Sequence, residues 1–215
     1  MDDTTVFTLI RHGETDDNHN AVLQGQSNTP LNEAGLAQAR LVAERLKLEG
    51  PFDVFYSSDL SRAMMTAQTI SEAISLPVEP TTALREWHLG VLEQRSAKEL
   101  WQEYPDIMRS FRQSGGDLEI PGGESRRQFR ARVTGFLNQV AEKHHGKHVL
   151  FVTHGGVLRA IFRYILSVPE TVDIQPQVSN TAFSRIALKP DGWQLQCWND
   201  TFHLHSMKIV ELQAY

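Results

Sequence analysis

Val6-Phe7-Thr8-Leu9-Ile10 is a mostly apolar run that leads directly into Arg11-His12-Gly13. The same arrangement returns later in the chain, where Val149-Leu150-Phe151-Val152-Thr153 leads into His154-Gly155-Gly156. Apolar runs without polar alternation are typical of strands that are buried on both faces of a parallel sheet. Ligands of such α/β sheets bind at the carboxyl ends of the strands. The two runs therefore predict a site with two imidazoles and a guanidinium, a set suited to attack on phosphorus.

Length and composition exclude several classes of protein. The chain has 215 residues, which is enough for one α/β domain with a full core and too few for two, so we expect one domain over 1–215. A net charge of -5 argues against a general affinity for nucleic acid or acidic membranes. Cys197 is the only cysteine, which excludes an intrachain disulfide and thiolate metal sites.

The expected location and partners follow from the same level of evidence. The acidic N-terminal residues lack the basic and apolar regions of a signal peptide, and the apolar stretches are too short to span a bilayer. We therefore expect a cytoplasmic protein with no membrane partner. The sequence does not define the oligomeric state and leaves a homodimer open.

Strand-like and helix-like segments alternate along the chain, a pattern typical of a mostly parallel sheet with helices on both faces. We therefore predict a three-layer α/β sandwich. The predicted strands are 6–10, 52–56, 149–153, 182–188 and 193–198, the last two joined by a turn. The predicted helices begin after the N-caps Asn32 and Asp59, run through Phe129 to Val140, and span 157–166.

Between residues 78 and 123 the pattern is looser. Short helices are predicted at 96–104 and 106–112, followed by a Gly/Pro-rich loop at 114–123. A long insertion in a compact domain is usually a lid or a binding region, so we expect this segment to recognise substrate. Its aromatic residues have two interpretations, an apolar wall above the site or ordinary core packing: Trp87, Trp101, Tyr104 and Phe111.

His12 is the candidate nucleophile. A neutral imidazole attacks a phosphoryl group when one ring nitrogen is free and the other is held as a donor. Arg11 offers a planar fork that matches phosphate oxygens, and Gly13 lets the backbone come close to a ligand. An isolated Arg-His-Gly is more often a strand-end histidine beside a solvated arginine, so the assignment depends on its surroundings.

Two further cations are predicted to converge on the same edge. Arg62 follows the second strand, in the first turn of the next helix, where amides and a guanidinium can share an anion. His154 follows the later strand and is placed to donate to phosphoryl oxygens and to stabilise transition-state charge. Taken alone, each residue is more often structural, as a surface arginine or a hydrogen-bonded core histidine.

Glu86, in Leu84-Arg85-Glu86-Trp87, supplies an acid. Expelling an alkoxide requires a proton, and a carboxyl close to a dianionic phosphate and an indole is favoured in its protonated form. The alternative is a salt bridge between Glu86 and a neighbouring arginine.

Taken together, the segments resemble the histidine phosphatase superfamily, also called the phosphoglycerate-mutase-like family. The resemblance runs from about Phe7 to His205, which is most of the chain. The matching motifs are Leu9-Ile10-Arg11-His12-Gly13-Glu14-Thr15 with Asn18, Gln24-Gly25 with Thr29-Pro30-Leu31, Gly35 with Gln38-Ala39, Ser57-Ser58-Asp59-Leu60-Ser61-Arg62-Ala63 with Thr66-Ala67, Leu84-Arg85-Glu86 with Gly90, Pro121-Gly122-Gly123-Glu124-Ser125, and Val152-Thr153-His154-Gly155-Gly156.

The resemblance implies a role for each matching residue. His12 would be the phosphorylated nucleophile and Glu86 the proton donor. The phosphate pocket would be lined by Arg11, Arg62 and His154 with Gly155, and Asn18, Gln24 and Gly25 would lie close to the phosphoryl group or the substrate. It also implies hydrolysis of a small phosphate ester with no cofactor and no metal, because the cationic side chains supply the positive field.

Two departures from the family pattern concern substrate recognition. Family phosphatases often carry an arginine where this chain has Val22, and many have Trp-Glu-Gly where this chain has Leu92-Glu93-Gln94. Neither departure touches the predicted pocket residues.

The same pocket supports three outcomes. In a phosphatase, water takes the phosphoryl group, and in a cofactor-dependent phosphoglycerate mutase a bound sugar acid takes it back. Related mutases carry a longer insertion with an adjacent arginine pair, which Arg95, Lys98, Arg109 and Arg112 do not form. We therefore favour the phosphatase. A non-catalytic protein that binds phosphorylated ligands is disfavoured because both His12 and Glu86 are present.

Two other clusters have simpler explanations. Arg126, Arg127, Arg130 and Arg132 resemble a nucleic-acid patch, but the chain is acidic and a solvated helix face is expected. His144, His145 and His148 have no carboxylate or cysteine at a metal-ligand spacing, so no metal site is predicted.

Overall fold

The computed structural model of the chain describes residues 3–113 and 117–205. Eight strands are present in this part: β1 (Thr5–Arg11), β2 (Val22–Leu23), β3 (Val54–Ser58), β4 (Glu79–Thr81), β5 (Arg95–Ser96), β6 (His148–Thr153), β7 (Phe183–Lys189) and β8 (Gly192–Asp200). Seven α-helices accompany them there: α1 (Asp16–His19), α2 (Glu33–Glu49), α3 (Ser61–Ile74), α4 (Ala97–Glu103), α5 (Pro105–Arg112), α6 (Arg126–Lys143) and α7 (Gly155–Ile165).

Six of the strands form the central sheet, in the order β4-β3-β6-β1-β7-β8. The first four are parallel to one another, and the β7–β8 hairpin adds two antiparallel strands at one edge. The apolar runs of β1 and β6 lie next to each other in the middle, with Arg11 paired to Thr153. His12 and His154 therefore leave the sheet side by side, with ring centroids 5.1 Å apart.

Helices cover both faces of the sheet because its buried strands present apolar side chains alternately to each face. Leu9 of β1 packs in a cluster with residues of α6 and α7, such as Leu137 and Ile161. Ile10, the next residue, packs in a second cluster with Val42 of α2 and other residues of α2 and α3. The predicted three-layer α/β sandwich is confirmed.

The region between 78 and 123 has an apolar cluster of its own. Leu92, Leu100 and Met108 are fully buried there, around the helices α4 and α5. A short two-stranded sheet, β2 with β5, ties this region to the segment after α1. Both short helices are found where the sequence predicts them, and residues 114–116 of the predicted loop lie outside the described residues.

Several predicted boundaries were wrong. Asp59 is not the N-cap of α3: Leu60 holds that position without a side-chain cap, because the Asp59 carboxylate accepts two hydrogen bonds from Arg85, at 2.7 and 2.5 Å. Strand β3 begins at Val54, two residues late, after an Asp53 carboxylate that accepts from the His148 amide at 2.8 Å. Helix α7 begins at Gly155, two residues early.

Within residues 3–113 and 117–205, no helix combines the length and apolar character needed to cross a membrane.

Candidate active site

A cavity of about 250 Å³ opens at the carboxyl ends of β1 and β6. It brings together eight of the nine predicted site residues: Arg11, His12, Asn18, Gln24, Gly25, Arg62, Glu86 and Gly155. The ninth, His154, is fully buried and lies behind this lining. The two halves of the sequence that carry the strand-end histidines thus meet at one edge of the sheet.

The His12 ring is held in one tautomer. Its backbone amide donates to Thr153 O at 2.9 Å, which fixes the end of β1 against β6. Its Nδ1 lies 2.7 Å from Gly13 O, and because a carbonyl only accepts, Nδ1 carries the proton. Burial lowers the pKa of His12 well below its ordinary value of 6.5, and the charges of Arg62 and Arg11 lower it further. His12 is therefore neutral at pH 7, with the lone pair on Nε2.

Gly13 is required for a reason that differs from the predicted one. A Cβ atom at this position would lie 2.5 Å from the carbonyl oxygen of Gly35, in the first turn of α2. The Gly13 amide also donates to Thr66 Oγ1 of α3, at 3.0 Å. The missing side chain at Gly13 allows this close contact with α2. The position of His12 is fixed by the hydrogen bond of its own amide to Thr153 O and by that of the Gly13 amide to Thr66 Oγ1.

Arg11 and Arg62 form the cationic part of the cavity. Arg11 Nη1 donates to Val178 O at 2.6 Å, while the buried Arg11 Nε has no partner among the described residues. Arg62 Nη1 and Nη2 donate to Ser27 O and Gly25 O, each at 2.7 Å. Burial lowers the pKa of Arg11 to about 9 and that of Arg62 to about 10, so both guanidinium groups stay charged at pH 7.

Gly25 contacts the site through its backbone. Its φ of 51° lies in the left-handed region, and a Cβ there would lie 2.3 Å from the Glu93 carboxylate. This turn directs the Gly25 carbonyl at Arg62, so Gly25 positions a cation.

His154 gives both of its ring nitrogens to protein partners. Arg62 Nε donates to Nδ1 at 3.2 Å, which leaves the proton on Nε2, and Nε2 lies 2.7 Å from Ser58 Oγ. Burial lowers the pKa of His154 well below 6.5, and Arg62 lowers it further, so the ring is neutral. The structure places His154 as a support for Arg62, with neither nitrogen left over for a phosphoryl oxygen.

Glu86 binds backbone amides. Its Oε1 accepts from the amide of Trp87 at 2.8 Å, and its Oε2 accepts from the amide of Gly156, in the first turn of α7, at 2.9 Å. A Cβ at Gly156 would lie 2.2 Å from Oε1, which explains the second glycine after His154. Across the described parts of the chain no arginine lies within ion-pair distance of Glu86, so the alternative of a salt bridge is wrong.

The side-chain amides at the cavity edge form a chain toward the nucleophile. Asn180 Nδ2 donates to His12 O at 3.0 Å and to Asn18 Oδ1 at 3.2 Å. Gln24 Oε1 is buried and has no hydrogen-bond partner in the described chain. Asn180 was missed by sequence reasoning because it lies in a loop before β7 with no recognisable motif.

Arg126 and Arg132 were also missed, because the basic run on α6 was expected to be solvated. Arg126 is only 5% exposed and donates to Ser110 O at 2.7 Å, and both Arg126 and Arg130 line the cavity. Arg132 makes two contacts with the Glu124 carboxylate, at 2.8 and 2.7 Å, and donates to Glu86 O at 3.1 Å. The expectation fails because α6 packs under the 78–123 region, whose carbonyl oxygens need donors.

The aromatic residues of this region divide into two pairs. Trp87 and Phe111 line the cavity, and their rings stack with centroids 5.4 Å apart. Trp101 and Tyr104 instead pack against the apolar cluster around α4 and α5. Of the two interpretations, an apolar wall fits Trp87 and Phe111, and core packing fits Trp101 and Tyr104.

The histidines near the end of α6 have hydrogen-bonding roles. His144 Nε2 lies 3.0 Å from the Tyr56 hydroxyl and His148 Nε2 lies 2.9 Å from Thr8 Oγ1. No group of three or more histidine, cysteine, aspartate or glutamate side chains able to hold a metal ion occurs in the described chain.

Comparison with known proteins agrees with this geometry. The model of the histidine phosphatase superfamily (branch 1) matches residues 7–201. The chain belongs to this superfamily. A metal-independent phosphoserine phosphatase from Arabidopsis thaliana is 40% identical over 97% of this chain and 87% of the relative. The phosphoglycerate mutase-like protein 4 of the same plant is 36% identical over 97% of this chain and 91% of its own length.

A solved structure also resembles this superfamily member closely. A phosphoserine phosphatase mutant from Entamoeba histolytica, in complex with phosphoserine, has a TM-score of 0.83 and 27% identity over 93% of this chain and 99% of its own. The predicted family and the predicted reaction class, phosphoric monoester hydrolysis of the histidine phosphatase type, are confirmed by these relatives.

Proposed function

We propose that this protein hydrolyses small phosphate monoesters through a phosphohistidine on His12. The observation that carries the proposal is the hydrogen bond from His12 Nδ1 to Gly13 O, at 2.7 Å. It leaves Nε2 as the only ring nitrogen able to attack, in a cavity that holds two charged arginines. A neutral nucleophile among fixed cations is the arrangement that phosphoryl transfer requires.

In the first step, Nε2 of His12 attacks phosphorus and the bond to the ester oxygen breaks. Glu86 gives its proton to the departing oxygen, so the product alcohol leaves neutral. Arg11 and Arg62 face the charge on the phosphoryl oxygens. They are effective because their hydrogen-bond partners are carbonyl oxygens and an imidazole, which leave their positive charge uncompensated.

In the second step, water attacks the phosphohistidine and the P–N bond breaks, which returns the lone pair to Nε2. The Glu86 carboxylate takes a proton from the attacking water and is ready for the next cycle. In this scheme Asn18, Gln24 and Gly155 border the phosphoryl group, and Gly25 and His154 hold Arg62 in place. The family resemblance implies a direct contact between His154 and the phosphate. That contact would require the His154 ring to break its hydrogen bond with Ser58 or with Arg62.

The experiment that tests the proposal traps the intermediate. The protein is mixed with p-nitrophenyl phosphate labelled in its phosphoryl group and quenched within milliseconds, and the labelled protein is treated with acid or with base. We expect label that is lost in acid and retained in base, absent from His12→Ala. His19→Ala is the matched control, because His19 is an exposed histidine seven residues further on. Full turnover by His12→Ala without label would overturn the proposal.

A mutase is the second candidate, favoured by the phosphoglycerate mutase-like relative. Against it, two arginines of the 78–123 region are paired with carboxylates of the same region, Arg95 with Glu103 and Arg109 with Asp106, and neither lines the cavity. A phosphoglycerate mutase assay primed with 2,3-bisphosphoglycerate separates the two, because a phosphatase releases inorganic phosphate and a mutase returns an isomer. We further propose a cytoplasmic location and a small phosphate ester as the only partner the reaction needs.

A further inference from the structure

Arg159 is a cavity arginine that has no role in the chemistry described above. Arg159 lies on α7, four residues after Gly155, and both residues line the cavity. Residues at this spacing share one face of a helix, and a rise of about 1.5 Å per residue separates them by about 6 Å along the axis. Arg159 therefore sits one helical turn away from the phosphoryl end of the cavity, on the side where Glu86 meets α7.

Arg159 differs from the arginines around it in what it binds. Its Nε donates weakly to Pro176 O, at 3.3 Å, and its two terminal nitrogens make no hydrogen bond within residues 3–113 and 117–205. In the same part of the chain no carboxylate lies within 4.0 Å of it, whereas Arg130 pairs with Glu170 and Arg132 pairs with Glu124. A half-buried guanidinium without an anionic partner is costly unless a ligand supplies one.

Its electrostatic neighbours are the catalytic groups themselves. The charge of Arg159 lowers the pKa of Arg11, and Glu86 is the carboxylate that raises the pKa of Arg159 against the effect of burial. Arg159 is therefore close to the point where the ester oxygen of a substrate leaves. An anion on the alcohol part, a few bonds from that oxygen, would come within reach of its free terminal nitrogens.

We propose that Arg159 determines specificity by binding a carboxylate on the alcohol part of the substrate. The preferred substrates are then small phosphomonoesters with a carboxylate two or three bonds beyond the ester oxygen. A carboxylate fits because the planar guanidinium offers two parallel N–H groups to its two oxygens. The size of the cavity, about 250 Å³, matches a small acid of this kind. The inference rests on the proposed function, since it assumes phosphoryl transfer at His12.

The experiment compares two substrates that differ only in the carboxylate, O-phosphoserine and O-phosphoethanolamine. We expect wild-type kcat/KM to favour phosphoserine by at least about tenfold, as loss of a charge-assisted bidentate contact predicts. Arg159→Met should lower kcat/KM for phosphoserine about 10- to 100-fold and bring the ratio near one, mainly through KM. Arg159→Lys should restore part of the preference, because it keeps the charge without the planar fork.

Arg163→Met is the matched control, because Arg163 lies one turn further along the same face and donates to the carbonyl oxygens of Pro169 and Val172. It should keep the ratio within about threefold. Equal wild-type rates on the two esters, or an unchanged ratio in Arg159→Met, would overturn the inference. A preference for 1,3-propanediol bisphosphate over 1,3-propanediol monophosphate, without a preference for phosphoserine, would also overturn the inference, because Arg159 would then bind a second phosphate and not a carboxylate. Labelling of His12 by p-nitrophenyl phosphate, measured in parallel, reports on the proposed function independently of this ratio.

Discussion

The phosphoryl end of the cavity and the end lined by Trp87 and Arg159 are built in different ways. At the phosphoryl end, His12 and Arg62 follow strands β1 and β3, and each is held by a backbone carbonyl oxygen, His12 by that of Gly13 and Arg62 by that of Gly25. At the other end, the side chains come from the 78–123 region, from the first turns of α6 and from the middle of α7. The strand ends thus fix the geometry of the reaction, while the helices and the insertion are free to vary the substrate.

The two ends also differ in how their cations are balanced. Among the described residues, Arg11 and Arg62 have only neutral hydrogen-bond partners, so their field is available to a phosphate. Two arginines of α6 are matched by carboxylates, Arg130 by Glu170 and Arg132 by Glu124. Arg159 has no carboxylate within 4.0 Å in the described chain, and it makes the second end selective for charge as well as for shape.

The largest effect should come from the acid at the junction of the two ends. Glu86→Gln keeps the size of the side chain and an acceptor for one of the two amides, Trp87 or Gly156, but has no proton to give. We expect kcat/KM for an alkyl monoester to fall about 10²- to 10⁴-fold, the contribution of a general acid. The loss for p-nitrophenyl phosphate should be about tenfold smaller or less, because that leaving group needs little protonation. Equal losses on both esters would contradict the role, and Glu119→Gln, at an exposed position that does not line the cavity, serves as control.

The next effect concerns the anchor of the loop that carries Glu86. Arg132 joins Glu124 to the carbonyl oxygens of Ala83, Arg85 and Glu86, so we regard it as a positioning residue. Arg132→Met leaves Glu124 half-buried and unpaired, at a cost of about 2 kcal/mol, which lowers Tm by about 4–8 °C.

Catalysis should change as well, with kcat on alkyl esters down about tenfold and a smaller change in KM. Arg132→Lys should recover part of kcat, which loss of stability alone would not explain. Arg127→Met is the control, because its side chain is 81% exposed and its pair with Asp117 contributes little. A Tm within 1 °C of wild type for Arg132→Met would show that the anchor is unimportant.

These two predictions separate what the sequence contained from what only the fold shows. The apolar runs that end in His12 and His154 predicted the parallel core and the phosphoryl site, since strand ends meet at one edge whatever connects them. Arg62 and Glu86 were found because they occupy recognisable motifs. The sequence placed Arg132 on a solvated face, because helical periodicity describes one helix and says nothing of the loop that packs against it.

The same limit applies to Asn180, Arg159 and the role of His154. Asn180 reaches His12 across 168 positions of sequence separation, and no local pattern carries such a contact. His154 was correctly located, yet its partners, Ser58 and Arg62, come from β3 and α3. Pairings of this kind depend on the register of neighbouring strands, which is a property of the folded sheet.

A smaller effect concerns acid stability, to which the two histidines of the phosphoryl end contribute. Burial lowers the pKa of both His12 and His154, so the folded protein binds fewer protons than the unfolded chain below the ordinary pKa of 6.5. The stabilisation is complete above 6.5 and is lost as the pH falls below it. Each such histidine contributes at most about 1.4 kcal/mol per pH unit in that window.

Tm measured from pH 7.5 to 5.5 checks this expectation, because carboxylates titrate at lower pH. We expect a fall of at least about 3 °C, converting that free energy for a domain of this size. His12→Asn should show a shallower fall than wild type. A Tm that is flat over this range in both proteins would mean that the imidazoles take up protons in the folded state as readily as in the unfolded chain.

The smallest effect concerns the connection between the two ends. Gln94 has a φ of 60°, in the left-handed region, at the position where the family pattern described above often has glycine. Its amide donates to Leu23 O at 2.7 Å, beside the β2–β5 pair, and its side chain donates to Asp17 and Ser27, at 2.9 and 2.6 Å. A left-handed conformation costs a non-glycine residue about 1 kcal/mol or more. The exposed hydrogen bonds of the Gln94 side chain offset part of this cost.

Replacing Gln94 by alanine and by glycine therefore separates the side chain from the backbone. Gln94→Ala loses the side-chain hydrogen bonds and keeps the strain, so we expect Tm to fall by about 2–4 °C. Gln94→Gly loses the same bonds but relieves the strain, and should lie about 2 °C or more above the alanine variant. A glycine variant no more stable than the alanine variant would contradict this, because then the backbone at 94 stores no strain and the departure from glycine costs nothing. If the glycine variant is the more stable of the two, the backbone at Gln94 is strained in this chain, and the hydrogen bonds of the Gln94 side chain, which connect the reacting end of the cavity to its selective end, offset part of that strain.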